Sequence, residues 1–320
     1  MDTSQTFRNR TGNSVIRKIG LLIGVAACGA LVTSCGSDDT PTPTPTGTDT
    51  ATPTPTPTSG VANFDFTADF DATSANTSAI VAYFTPEGGA EFFNDATRIN
   101  GNSGIEYIAT PNSVTIRFPE QSASSVFDED DLQSNSATER VYQDGDVGLT
   151  LELPFTYILR ATLETDNQDF TRDTVDGTLR SERVTAFFST STDDTDITSS
   201  ITYTGDPLIV GGEEGVTAPN ALSAPQVTFT ITPGSDDVIS GTITIFETVN
   251  GNQVQVADLD FSAIVGENNG FNGTLEDNAN DLEGEFAGAL AGPNRDEVFI
   301  TFVAFNADDN RTVLGNFIGD

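Results

Sequence analysis

The chain has 320 residues, with 13 Lys and Arg against 48 Asp and Glu, a formal net charge of −35. A surface this negative repels nucleic acid and anionic membrane, so nucleic-acid binding is excluded. There is no histidine, no tryptophan, and no cysteine beyond Cys28 and Cys35, which excludes Ser-His-Asp and Cys-His nucleophile systems, Cys/His zinc sites and His-, Met- or Cys-ligated haem from the later chain.

In chain order, Arg8, Arg10, Arg17 and Lys18 precede an uncharged run from Ile19 to Val32. A permanent membrane helix needs about 20 apolar residues. This run is shorter and has the size and flanks of a signal-peptide core. Val32-Thr33-Ser34-Cys35 follows, then Gly36. Small residues before a cysteine at that point are the pattern of signal peptidase II substrates. The thiol of Cys35 is expected to take a diacylglycerol and its freed amine an acyl chain. Several chains anchor stably because each buried methylene contributes about 0.8 kcal/mol. Val25-Ala26-Ala27-Cys28 is a rival site, but cleavage there would leave Ala30-Leu31-Val32 on the mature protein. Removing residues 1–34 leaves nine Arg, no Lys and 47 acidic residues, a net of −38. Such a surface suits a medium where salt screens its self-repulsion.

Residues 36–60 form a linker in which Thr and Pro alternate through Thr40–Thr46 and Thr52–Thr58. Proline fixes φ and cannot donate to a ladder, so this segment favours polyproline II. At about 3.1 Å per residue, Gly36–Ser59 would reach roughly 75 Å. The linker reads as a stalk that lifts a folded body off a membrane.

From Val61 onward the text is strand-like, and the fold class is all-β. Val114–Phe118 and Leu149–Leu153 alternate apolar and polar residues and end at prolines, as half-buried strands do. Asp65–Asp71 and Ala79–Phe84 are ambiguous, and one of them could be a short helix. Ser122–Gly145 is polar and acid-rich and reads as a long exposed loop. Tyr157–Glu164, Asp176–Arg183, Val184–Ser189 and Ile197–Thr204 read as further strands. A glycine- and proline-rich stretch, Gly205–Pro225, places a domain boundary near Gly215. That divides the folded part into an N-terminal β domain, 61–215, and a C-terminal domain, 216–320. In the second, strands are expected around Val227–Ile231, Ile243–Ile245, Val254–Phe261, Gly270–Leu275, Gly284–Ala289, Glu297–Phe305 and Thr312–Ile318. Short strands at about ten-residue spacing with Asn/Gly/Asp turns argue for an antiparallel meander. Closure into a barrel would remove its edges.

Specific residues then add a family resemblance. Asn269-Gly270-Phe271-Asn272-Gly273-Thr274-Leu275, followed by Leu282-Glu283-Gly284-Glu285-Phe286-Ala287-Gly288-Ala289-Leu290-Ala291, resembles the Gly-x-Phe-x-Gly-x-x-Ala signature of transferrin-binding protein B and related surface lipoproteins. The closing Val313-Leu314-Gly315-Asn316-Phe317-Ile318 is similar to the last strand of their barrels. Gly292-Pro293-Asn294-Arg295-Asp296-Glu297 departs from the glutamate and paired glycines usual there. Over residues 226–320 the resemblance implies an eight-stranded antiparallel β-barrel behind a handle-like β domain, on an outer-membrane lipoprotein that binds a protein or solute. It transfers neither transferrin binding nor any ligand-contact residue. Glycines at this spacing would let a small barrel bend while Phe rings fill it.

Weak site signals remain. Asp128-Glu129-Asp130-Asp131 and Asp193, Asp194 and Asp196 would gather Ca²⁺ only if their loops converge, and 276–283 lacks the glycine and ligand spacing of an EF-hand. A carboxylate pair could in principle run a glycosidase, but no pair stands out. Tyr83, Tyr107, Tyr142, Tyr157 and Tyr203 could include a haem ligand, though tyrosine is more often a rim residue of a strand. The reading is therefore a non-enzymatic lipoprotein with no metal or cofactor, held by membrane lipid through Cys35 at the outer membrane, on its periplasmic face or at the cell surface. It captures a protein or solute, in iron, haem or nutrient acquisition, with a TonB-dependent receptor as a candidate partner. The alternative is a structural envelope lipoprotein without a specific ligand.

Overall fold

The computed structural model describes residues 56–57, 62–189, 191, 193, 195–217, 220–306 and 310–320. The chain is all-β, and every strand pairing is antiparallel. The first twelve strands are β1 (Thr56–Pro57), β2 (Phe70–Ala75), β3 (Ser78–Pro86), β4 (Phe92–Ile99), β5 (Asn102–Ile108), β6 (Ser113–Phe118), β7 (Ala123–Phe127), β8 (Leu132–Asn135), β9 (Glu139–Asp144), β10 (Val147–Glu152), β11 (Ile158–Arg172) and β12 (Val175–Phe188). They make a five-stranded sheet, β1-β2-β5-β6-β7, and a seven-stranded sheet, β4-β3-β12-β11-β10-β9-β8. Alternation drives their packing. Val114, Ile116 and Phe118 of β6 and Leu149 and Leu151 of β10 point into one shared core, with Tyr107, Tyr142, Leu159 and Phe187.

Ten strands follow: β13 (Ile201–Gly205), β14 (Leu208–Glu213), β15 (Leu222–Ser223), β16 (Val227–Thr232), β17 (Val238–Val249), β18 (Asn252–Ile264), β19 (Gly270–Asp277), β20 (Leu282–Ala291), β21 (Glu297–Asn306) and β22 (Arg311–Gly319). One sheet runs β13-β16-β17-β15, with β18 also on β17. The other runs β14-β22-β21-β20-β19. β17 and β18 meet in a two-residue turn at Asn250 (φ 51°) and Gly251 (φ 80°), the left-handed pair that a tight hairpin requires. Both sheets enclose one core that includes Phe229, Ile243, Leu259, Phe261, Phe286, Phe302 and Phe317.

The four sheets stack in sequence. The seven-stranded sheet packs its second face on the β14–β19 sheet. Ile158, Ala186 and Phe188 meet Ala289, Ala291, Phe299 and Ile318, and Ala79, Val81 and Phe93 meet Leu314. Strands β20 and β21 accordingly carry six consecutive buried residues each, from Phe286 and from Glu297.

Four expectations change. Among the described residues no closed eight-stranded barrel forms. β13 and β16–β22 do surround the core, but among the described residues no ladder joins β18 to β19. At the other seam β14 has taken the free edge of β22, and β13 is joined to the end of β22 by the Thr204–Asp320 backbone bonds, 2.9 and 3.4 Å. Ala79–Phe84 is strand and not helix, because β3 is buried on both faces. Ser122–Gly145 is largely structured: β7 pairs with β6 and β9 with β10, and Phe127, Arg140 and Tyr142 are buried. The two strands expected over Asp176–Ser189 are one long strand, β12. β13 and β14, which lie before Gly215, ladder with β16 and β22.

Glycine sites in the second core test the packing. Phe271 lies opposite Gly288, Gly273 opposite Phe286, and Phe302 opposite Gly315. A Cβ at Gly315 would sit 2.2 Å from the Phe302 ring. Gly315→Ala is expected to cost about 1–3 kcal/mol in urea unfolding, as overpacking does. Phe302→Leu in the same chain should recover part of it, and simple additivity of the two changes would refute the contact.

Candidate functional site

The unladdered seam between β18 and β19 is stitched at its ends. At one end the Asp277 carboxylate accepts from the backbone N–H of Asp258 at 2.7 Å, and also from Ala279 and Asn280. A side chain thus replaces the ladder bond that β18 lacks. Burial pushes this carboxyl up, but the hydrogen bonds from Asn280, Asp258 and Ala279 outweigh it and hold it below the usual aspartate value. At the other end Gly266 N–H donates to the Gly270 carbonyl at 2.9 Å, and Asn269, at φ 58°, closes the turn.

Beside that turn the seam opens into a cleft of about 550 Å³. Its walls are Val238, Ser262, Ala263, Ile264, Gly266, Asn268, Gly270, Phe271 and Asn272. None of these nine side chains ionises, in a chain with 48 acidic residues. The floor is Phe271, a core ring, and the exposed Ile264 stands at the rim. Neutral amides, one hydroxyl and strand backbone can orient a polar ligand there. The lining holds no ionisable acid or base, and so none that would activate the Ser262 hydroxyl. The volume falls within the range of small-molecule sites, roughly 300–1,000 Å³.

The residues singled out in sequence go elsewhere. Cys28, Cys35 and Asp194 lie outside the described residues. Asp128 caps a 3-10 turn: its carboxylate accepts from Asp130 N–H at 2.8 Å, and Asp131 returns the bond to Asp128 N–H at 2.9 Å. Asp193 accepts from Thr195, whose side-chain and backbone bonds hold its carboxyl low, and it lies 3.7 Å from Arg295. Among the described residues no three His, Cys, Asp or Glu side chains gather as a metal site. The five tyrosines are placed as strand and core residues. Tyr107, Tyr142 and Tyr203 are fully buried, and Tyr107 and Tyr203 donate to the Phe66 and Arg295 carbonyls. Burial pushes Tyr83 up to about 12, and Tyr142 and Tyr203 up as well, which disfavours the phenolate a metal needs. Tyr157 packs over Gly292.

Sequence reading missed the charges that join the two halves. Arg98 of β4, with its side chain 3% exposed, pairs with Glu285 of β20 at 3.1 Å. Arg172 of β11 pairs with Glu214. Glu297 of β21 accepts from the backbone N–H of Thr156 at 2.7 Å and of Tyr157 at 2.9 Å. Its partner Tyr157 lies 140 residues away, and no local pattern announces such a contact.

No protein-family model matches the chain, and no curated protein matches it. Solved structures of transferrin-binding protein B are similar. The isotype 1 protein of serogroup B Neisseria meningitidis is 12% identical over 76% of this chain and 44% of its own, with a TM-score of 0.39. A single-residue variant from Haemophilus parasuis Hp5 is 13% identical over 78% and 45%, also at 0.39. A variant from Actinobacillus pleuropneumoniae H49 is 10% identical over 77% and 100%, at 0.37. The chain spans less than half the length of the first two. At these scores the likeness fixes no site and no ligand.

The Asp277 stitch is testable. Asp277→Ala is expected to speed amide exchange at Asp258 and to cost about 1–3 kcal/mol at pH 7, the range for orphaning buried donors. Because the folded pKa is depressed, the wild-type advantage is fully present above the unfolded value of about 4 and is lost as pH falls through the lower folded value. A pH-independent difference between the two proteins would refute this role.

Proposed function

We propose that the chain is a non-enzymatic, lipid-anchored binding protein of the outer membrane, and that its cleft beside β18 and β19 takes an uncharged polar ligand, either a solute or an extended stretch of a protein. One observation carries this reading: the cleft is built wholly of neutral groups on a chain whose surface is otherwise acidic. Neutral amide and backbone groups recognise by hydrogen bonding. The surrounding carboxylates would repel anions, and a lining without a carboxylate offers a cation no ion pair, which leaves neutral ligands. In this reading Cys35 carries the acyl chains and nutrient acquisition is the setting. We place the division between the lobes between Ser189 and Ile201, since β13 and β14 ladder within the second.

Two measurements test it. Cys35→Ser should abolish incorporation of labelled palmitate and release the protein from membranes, whereas Cys28→Ser should do neither. The reverse pattern would move the anchor to Cys28. Immobilised residues 36–320 should retain a saturable ligand from growth-medium solutes or solubilised envelope proteins, and Ser262→Trp, which fills the cleft, should weaken retention at least tenfold. Retention unchanged by Ser262→Trp would remove the cleft from the binding site.

A further inference from the structure

We propose that the last Thr-Pro unit of the linker is a strand of the folded body, so that the lipid anchor leaves the protein at the junction of its two lobes and not at a lobe tip. The docking part stands on the ladder alone, and the placement of the anchor rests on the lipidation reading above. Thr56 pairs with Ala75 and Pro57 with Ser74, antiparallel, and β1 thereby covers the edge of a sheet that β2 would otherwise terminate. An uncovered edge exposes unpaired backbone groups, and proline suits the outermost strand because it has no N–H to present. A Thr-Pro repeat, which favours polyproline II, therefore also makes its last unit a fitting edge strand.

Direction follows from register. From Pro57 to Thr56 the chain moves along β2 from Ser74 to Ala75, towards Asn76. The Asn76 carbonyl accepts from Arg98 at 3.4 Å, and Arg98 is the residue that pairs with Glu285 of the second lobe. Ser74 is fixed as well: its hydroxyl donates to the Ala186 carbonyl at 2.8 Å, next to the apolar cluster that joins the lobes. The tether thus departs beside the contact between lobes. Residues 36–55 remain between Cys35 and the body, a reach of roughly 62 Å at the polyproline II rise of about 3.1 Å per residue. A body held at its waist presents both lobe ends to the surroundings.

Disulfide trapping in the full chain tests this. Thr56→Cys with Ala75→Cys is compared with Thr52→Cys with Ala75→Cys and Gly60→Cys with Ala75→Cys. Facing strand residues lie within the roughly 4.4–6.8 Å Cα separation of disulfides. The registered pair should close at least tenfold faster than both others. An undocked linker gives another order: Gly60 fastest and Thr52 slowest, within about twofold, because closure cost grows only as the logarithm of loop length. That order would overturn the proposal. Should the Ala75 substitution impair folding, a spin label on Thr56→Cys alone should broaden the amide signals of Ser74 and Ala75, and unbroadened signals would overturn it equally. A free Cys35 thiol in a chain that still forms the 56–75 disulfide would defeat the lipid anchor and leave the docked strand standing.

Discussion

The structure depends on two sheets that are each buried on both faces. The seven-stranded sheet lies between the β2–β7 sheet and the β14–β22 sheet, and the latter lies between it and the β13–β18 sheet. One face of this middle sheet is lined in part by small side chains. Ala287, Ala289 and Ala291 supply these on β20, against Ala186 and Phe188 of β12 and their neighbours. Small side chains let sheets approach and keep dispersion contacts dense. A chain with no disulfide available after Cys35 must hold together this way, through buried apolar area worth about 25 cal/mol per Å².

Within the second lobe the complementary device is glycine facing phenylalanine. Phe271 against Gly288, Phe286 against Gly273 and Phe302 against Gly315 are cross-strand neighbours in register. Each ring occupies the space a Cβ would need: one added at the facing glycine would lie 2.3, 2.7 or 2.2 Å from it, respectively. The rings then meet one another: Phe261 lies 5.0 Å from Phe286 and 5.3 Å from Phe302, edge to face. Removing the Cβ permits strong local curvature, and the ring restores the lost packing area. This curvature wraps eight strands around one core without a continuous ladder, and the residual gap is the cleft.

Charge has a different part at the lobe contact. Glu297 is 3% exposed and burial pushes its carboxyl up, while the Tyr157 and Thr156 amides pull it back. It holds the start of β11 against β21, which a hydrophobic residue could not do in a defined register. Arg98 is pulled down by burial and held up by Glu285. Such pairs often add little net stability, since desolvation offsets their attraction. Their geometry selects one mutual orientation of two faces that are otherwise largely apolar.

Fold class and most strand positions were legible from residue order, because each rests on local periodicity or composition. Val114–Phe118 and Leu149–Leu153 read as alternating strands, and the short segments from Gly270 to Ile318 as a meander. Ser122–Gly145 misled because its polar residues mask strands whose few inward residues, Phe127 and Tyr142, do the packing. The edge that β14 occupies was settled only in three dimensions. A strand from before the expected boundary took the free side of β22 and left the barrel unclosed. Folding alone brought Val238 of β17 beside Asn268 and Phe271 to make the cleft, and Arg98 beside Glu285 across 187 residues of chain. Local pattern fixes what a strand is. Which strand becomes its neighbour depends on competition among edges distant in sequence, and no short window contains that competition.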